Sequence, residues 1–321
     1  MKRRTLLASI VLAPVFPAMA SAQAAYPARP IRMISPFPPG GGTDLLARAL
    51  CTRLAEAHGW AVVVENRAGA NGTIGLAEAA RADAAGHDLV LGQQDNMILA
   101  PLLTKVAFNP LRDFTPIAFS ATTPLLILTS AAAPYRSFED LAKAARAAPD
   151  SLTFGSSGSG SNSHVVSELL ARRANVRLQH VPYRGSNPAL MDLMGGHVTA
   201  VGSSIASAMS SIQSGATRPL AVTGARRNPS LPEVPTLVEL GHNVQVTSWW
   251  GVLGPAGVPQ SVVDRLNRNF NDLLGQADLV KTLNDQGIEP APTSSAVFTA
   301  MLRQEVENWK GIVAETGLRL D

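Results

Sequence analysis

Cysteine is almost missing from this 321-residue chain, and with Cys51 as the single example no intramolecular disulfide can form. Cys51 falls inside an amphipathic helical pattern, where a buried, inert thiol is the expectation. Aromatic residues make up 5% of the sequence and charged residues 16%, against 46% hydrophobic residues. That balance excludes a disordered chain and is poor in the stacking surface that nucleic-acid bases need. Beyond the N-terminal region, no run reaches the roughly 18 apolar residues of a membrane span. His58, His87, His180, His197 and His242 have no histidine partner one helical turn away and no cysteine companion, so no metal site and no cofactor is expected.

What is present begins with a leader. Lys2, Arg3 and Arg4 precede an apolar run from Thr5 to Phe16, and small-residue cleavage options follow at Ala18-Met19-Ala20 and Ala22-Gln23-Ala24. This is the order of parts in a signal peptide over 1–24, which predicts a periplasmic protein. The Arg3-Arg4 pair leaves general and twin-arginine export both open, with general export favoured. No cysteine follows the run, so nothing calls for a lipid anchor. Removing the leader takes three of the 27 basic residues and none of the 24 acidic ones, leaving a formal charge of zero. The sequence pI of 9.3 therefore does not describe the mature chain, and a nucleic-acid partner is not expected.

The mature chain alternates short apolar runs with helical periods, as a parallel-sheet α/β protein does. Ile31 to Ser35 reads as a strand. The loop Pro36 to Asp44 follows, and then a helix with Leu45, Leu46, Ala49, Leu50 and Leu54 on one face, closed by Gly59. The unit recurs as strand 61–65, loop 66–73, helix 74–85, strand 88–92 and a polar loop at Gln93-Gln94-Asp95-Asn96. A second series runs through helix 138–147, strand 152–154, loop 155–163, helix 164–174, strand 176–181, helix 187–194 and strand 198–201. Two extended stretches, 115–129 and 244–254, read as crossovers between lobes. The tail helices 261–274, 277–286 and 295–316 are expected to pack back on the first lobe. The predicted division is 25–122 plus 248–321 for lobe one and 123–247 for lobe two, two doubly wound lobes joined by two crossover segments.

The chemistry lies in the loops that follow strands, where open parallel sheets bind ligands. Gly40-Gly41-Gly42-Thr43 lets backbone approach a ligand closely, and the helix after it presents unpaired N–H groups and a partial positive charge. The loop Gly155 to His164 repeats the device with serine hydroxyls. Both point to an anion, although ordinary turns capped by Thr43, Asp44, Asn162 and Ser163 would look the same. Neither loop spells a dinucleotide fingerprint or a Walker motif. Gly155-Ser156-Ser157-Gly158-Ser159 misses the nucleophile elbow, because Ser159 stands where the last glycine is needed. Arg67 and Arg184 lie beside turns, where salt-bridged loop arginines are the commoner outcome. Asp95, at a strand end, could receive an ammonium or hydroxyl group of a solute.

Larger motifs carry a family resemblance. Tyr26-Pro27-x-x-Pro30-Ile31-Arg32, Pro36 to Asp44, Val64-Glu65-Asn66-Arg67-x-Gly69-Ala70-x-Gly72 and Val181 to Ser186 closely resemble the Bug receptors, the extracytoplasmic binding proteins of tripartite tricarboxylate transporters. Leu220 to Thr223, Leu231 to Thr236 and Gly254 to Pro259 extend the resemblance over essentially the whole mature chain. It implies a periplasmic-binding-protein type II fold, a Venus flytrap without enzymatic activity, that recognises a solute carboxylate. Carried onto this sequence, the candidate contacts are Phe37, Gly41, Gly42, Thr43 and Asp44 in lobe one and Ser156, Ser157, Ser161 and His164 in lobe two. Where relatives commonly have Phe-Asp, this chain has Gly202-Ser203. Where they often have a small residue and a histidine, it has Asp95 and Met97. Gln94, Asp95 and Ser203 therefore join the candidate set, with Asp95 as a polar or cationic subsite. The implied partners are a small carboxylate and the membrane permease of a tripartite transporter, with the receptor itself a monomer. A ligand-sensing receptor for a signalling partner is the second reading, and a periplasmic hydrolase using Ser157 or Ser159 with His164 is a third.

Overall fold

The computed structural model describes residues 26–318 and 320. The expected leader over 1–24 lies outside the described residues. From the N-terminal side the chain forms β1 (Ile31–Ser35), α1 (Gly42–His58), β2 (Val62–Asn66), α2 (Thr73–Ala79) and β3 (Asp88–Gln93). Strands β1, β2 and β3 pair in parallel with β1 in the middle. Gly59, at φ 66°, closes α1 in the left-handed conformation that glycine adopts without a Cβ penalty. Its buried side is Leu46, Ala47, Leu50, Cys51 and Leu54, while Leu45 is 38% exposed. The helical period selects one of the two adjacent leucines, and it places Cys51 in the core, where burial pushes the thiol up to about 12.

Two local expectations are corrected. α2 ends at Ala79 rather than at 85, because Arg81 and Ala82 bond back three residues, to Glu78 and Ala79, and tighten the chain out of the helix. Residues 93–96 do not form a polar loop. β3 runs through Gln93, and Asp95–Leu99 forms a π-helical turn leading into α3 (Ala100–Leu103). Burial of Met97, Ile98 and Leu99 drives this turn, and the Asn96 side chain accepts the Gln93 amide at 3.0 Å to hold its start.

β4 (Phe114–Ser130) is a single 17-residue strand shared by two sheets. After it come α4 (Phe138–Ala147), β5 (Thr153–Ser156), α5 (Asn162–Arg173), β6 (Gln179–Pro182), α6 (Ser186–Met194), β7 (Ala200–Ser204), α7 (Ile205–Gln213) and β8 (Thr217–Val222). The chain finishes with β9 (Thr247–Pro255), α8 (Gln260–Leu274), α9 (Ala277–Asp285), the short β10 (Glu289–Pro290) and α10 (Ser295–Thr316). Up to Pro124, β4 pairs antiparallel with β9 and β10, and β9 joins β3. From Leu125 onward β4 pairs with β7 and β8, and β7 leads through β5 to β6. The polypeptide thus changes sheets within β4 and again just before β9.

These two passages are tied together at Thr223. Its amide donates to the Leu125 carbonyl at 2.9 Å, its hydroxyl donates to the Val246 carbonyl at 2.5 Å, and the same hydroxyl accepts the Leu125 amide at 2.9 Å. α8 and α9 pack with α1, β1, β3 and β9 in one apolar core. α10 does more than the expected return to that side. Phe298, Leu302 and Trp309 join a core that also holds Val165, Leu169 and Leu170 of α5, and Glu315 pairs with Arg173 at 2.5 Å.

Candidate functional site

A cavity of about 80 Å³ lies where the two sheets face each other. Phe37, Gly41, Gly42, Thr43, Gln93 and Asp95 line it from the β1–β3 side. Ser157, Asn162, Ser163, Arg184 and Ser203 line it from the β5–β7 side, with Trp250 and Ser248 of β9 as part of its wall. Four helices begin at this place, α1, α5, α6 and α7. Each presents first-turn N–H groups that no helix can satisfy internally. Ser161 and Ser204 cap α5 and α7 with their hydroxyls, accepting the His164 and Ser207 amides at 3.3 Å. α1 and α6 start at Gly41 and Gly185 with no side-chain cap of their own, and among the described residues only the Gly42 amide of their first turns has a side-chain partner, the Ser207 hydroxyl.

The halves already touch beside the cavity. The Gly42 amide donates to the Ser207 hydroxyl at 3.2 Å. A Cβ at Gly42 would fall 3.2 Å from both Ser204 Oγ and the Trp250 ring, so the missing side chain permits this approach. The Trp250 indole N–H is shared between Thr43 Oγ1 and Gln93 Oε1, each at 2.9 Å, and Thr43 is also bonded to Gln93. These bonds fix the Thr43 rotamer at the mouth of α1.

Of the residues singled out from sequence, Phe37, Gly41, Gly42, Thr43, Asp95, Ser157 and Ser203 line the cavity. Asp44, Gln94, Ser156, Ser161 and His164 stand outside its lining and shape the loops instead. Asp44 accepts the Gly40 amide at 3.0 Å, Asn66 Nδ2 at 2.8 Å and the Arg48 guanidinium at 3.0 Å. Burial opposes its ionisation, but Arg48, the Gly40 amide and Asn66 outweigh that and hold the carboxyl below the usual range. Gln94 Nε2 donates to Glu305 at 3.0 Å, and its Oε1 accepts Asn162 Nδ2 at 2.8 Å, a bond between the halves. Glu305 also accepts the indole N–H groups of Trp249 and Trp309, which anchors α10 to the same network.

His164 accepts the Gly160 amide on Nδ1 at 3.0 Å and stacks face to face on His180 at 3.6 Å. Burial pushes both imidazoles down to about 4, and for His164 the neighbouring His180 adds to the effect. Ser156 bonds His180 Nε2 at 2.6 Å. Ser157 bonds Ser163 at 3.2 Å and has no bond to His164, so the serine and histidine of the hydrolase reading are not a nucleophile and its base here. Arg67 pairs with Glu65 and Glu78 at the surface, at 2.6 and 3.2 Å. Among the described residues no group of three or more His, Cys, Asp or Glu could hold a metal.

Asp95 is the one acidic side chain of the lining and is only 4% exposed. Burial raises its carboxyl to about 6, against the pull of two backbone N–H groups, those of Asn162 and of Asp95 itself. Arg184 is the one cationic lining residue, is exposed, and also borders a wider outer recess of about 1080 Å³ that runs past Gly69 to Thr73 and Ser157 to Gly160. Sequence reasoning missed Gln93, Asn162, Ser163, Ser204, Ser207 and Trp250 as lining. Asn162 and Ser163 were read as caps of α5, and only adjacency to a predicted crossover could have drawn attention to Trp250.

Residues 46–318 match the model of the tripartite tricarboxylate transporter family receptor. The chain belongs to this family. BugT of Bordetella pertussis is 35% identical over 298 residues, 92% of this chain and 91% of that one. A solved R. palustris protein with adipate superposes with a TM-score of 0.89 at 32% identity, covering 92% of this chain and 99% of the other. MatC from Rhodopseudomonas palustris with bound malate superposes with a TM-score of 0.83 at 30% identity, covering 90% of this chain and all of the other. The resemblance to Bug receptors is thereby borne out, as is the mixed α/β architecture of periplasmic binding proteins. The family is one of receptors rather than enzymes, and its members are periplasmic.

Proposed function

We propose that this receptor-family chain captures a small carboxylate in the cavity between its two sheets and presents it to the membrane permease of a tripartite transporter. The observation that carries this reading is that two helix starts from different halves, at Gly41 and Gly185, line one cavity and neither has a side-chain cap of its own. A carboxylate there receives backbone N–H groups from both sides, each terminus contributing about 0.3–2 kcal/mol, without a permanent buried ion pair. The adipate and malate in solved family members support the same ligand chemistry. Phe37, Gly41, Gly42, Thr43, Ser157 and Ser203 are assigned as contacts and Arg184 as the guard of the mouth. Residues 25–122 plus 248–321 and 123–247 form the two lobes that close over the ligand as a Venus flytrap, acting as a monomer in the periplasm after loss of residues 1–24.

Isothermal titration with a panel of two- to eight-carbon mono- and dicarboxylates, on protein stripped by unfolding and refolding, tests this reading. At least one carboxylate binds, and its amide derivative does not. Equal binding of carboxylate and amide would overturn it. Crosslinking in membranes separates the permease from a sensor as the partner.

A further inference from the structure

One buried acceptor in the cavity, Asn162 Oδ1, has no donor, and a second, the Asp95 carboxylate, has only backbone N–H groups. Asp95 has no side-chain hydrogen-bond partner and no ion pair among the described residues, and only two backbone N–H groups lie against its carboxylate. Asn162 is 1% exposed. Its Nδ2 is committed to Gln94 and to Ser248, at 2.8 and 3.0 Å, which leaves Oδ1 buried with no donor at all. Several neighbouring donors are committed elsewhere. Ser203 gives its hydroxyl to the Ser204 carbonyl, Ser163 is bonded to Ser157 and Ser161, and Gln94 Nε2 donates to Glu305. An orphaned buried acceptor is costly and a lone buried charge more so, and such groups persist where a ligand completes them. Both line the same cavity as the uncapped helix termini.

Resting on the receptor reading above, we infer that the ligand is a zwitterion, its carboxylate at the helix termini and Arg184 and its ammonium group received by the Asp95 carboxylate and Asn162 Oδ1. Charge complementarity supports this assignment over a dicarboxylate. The lining holds one cation at the mouth and one anion inside, and a second ligand carboxylate would meet Asp95 directly. An ammonium has three N–H donors in a compact head, enough to satisfy both acceptors at once, whereas a single hydroxyl can satisfy one.

The test is isothermal titration of stripped protein with matched pairs that differ only in the amino group: glutamate with glutarate, aspartate with succinate, 5-aminopentanoate with pentanoate. It is run on the wild type and on Asp95→Asn, an isosteric change that keeps the site polar while removing the charge. At least one amino member binds ten-fold or more tightly than its partner, and Asp95→Asn reduces that ratio to within about three-fold while the desamino member loses nothing. Equal affinities within every pair, or a ratio that Asp95→Asn leaves intact, overturn the zwitterion assignment and leave the carboxylate receptor standing. Binding of no member of any pair, by a protein whose thermal unfolding is cooperative, overturns both.

Discussion

Replacing Asp95 by asparagine should make the ligand-free protein more stable at neutral pH. In the folded chain this carboxyl titrates near 6 instead of 3.8, because burial disfavours its charged form. A raised carboxyl pKa means that the folded state holds the proton more tightly than the unfolded state. The contribution of this group is therefore fully present below the unfolded pKa near 4 and lost as pH rises through 6. The two-unit gap is worth about 3 kcal/mol at 1.36 kcal/mol per unit. Asparagine has no charge to desolvate, so Asp95→Asn recovers most of that at pH 7.5 and very little at pH 4. Urea denaturation of stripped wild type and variant at both values, followed by tryptophan fluorescence, reads the difference. A variant no more stable than the wild type at pH 7.5, or a gain of equal size at pH 4, would refute the reasoning. The buried His164 and His180 change stability over the same range with the opposite sign, and that contribution is common to wild type and variant and cancels in the difference.

The remaining predictions concern the frame around the cavity. The stacked histidines act with the opposite sign: their folded pKa values are depressed, so their contribution is present above about 6.5 and lost as pH falls toward 4, and His180→Gln should flatten the acid limb of a stability-against-pH curve. Gly42→Val adds bulk where a Cβ already lies 3.2 Å from Ser204 and Trp250, so ligand affinity should fall ten-fold or more in titration with little loss of thermal stability. Gly251→Ala places a methyl group inside the Phe298 ring and should cost about 1–3 kcal/mol in urea denaturation, with partial rescue by Phe298→Leu. Gln94→Ala cuts the link from Glu305 to Asn162 and should weaken ligand binding about ten-fold through loss of one hydrogen-bonded contact between halves, measurable by titration.

Much of the fold was legible because its determinants are local. The strand from Ile31 to Ser35, α4 from Phe138 to Ala147 and the αL stop at Gly59 follow directly from apolar period, capping residues and glycine. The glycine loop was legible for the same reason, and Gly41, Gly42 and Thr43 do line the cavity. The turn at Asp95 was not, since polar Gln93 to Asn96 look like a loop until the burial of Met97 to Leu99 is known. Asp44, Ser156 and His164 have the chemistry of ligand contacts, and what they bond instead, Arg48, His180 and the Gly160 amide, depends on neighbours brought in by folding. Trp250 reaches the cavity only through the antiparallel pairing of β9 with β3 and β4, a long-range register that no local pattern encodes.

Thr223 joins the two sheet-changing passages through one amide and one hydroxyl. A displacement of one half against the other therefore passes through both strands at the same point, and neither can flex alone without breaking a buried bond. Mechanically this is a single pin instead of two loose straps. Thr223→Val, which keeps the shape and removes both hydroxyl bonds, is the substitution that would uncouple the two passages while leaving every lining residue in place.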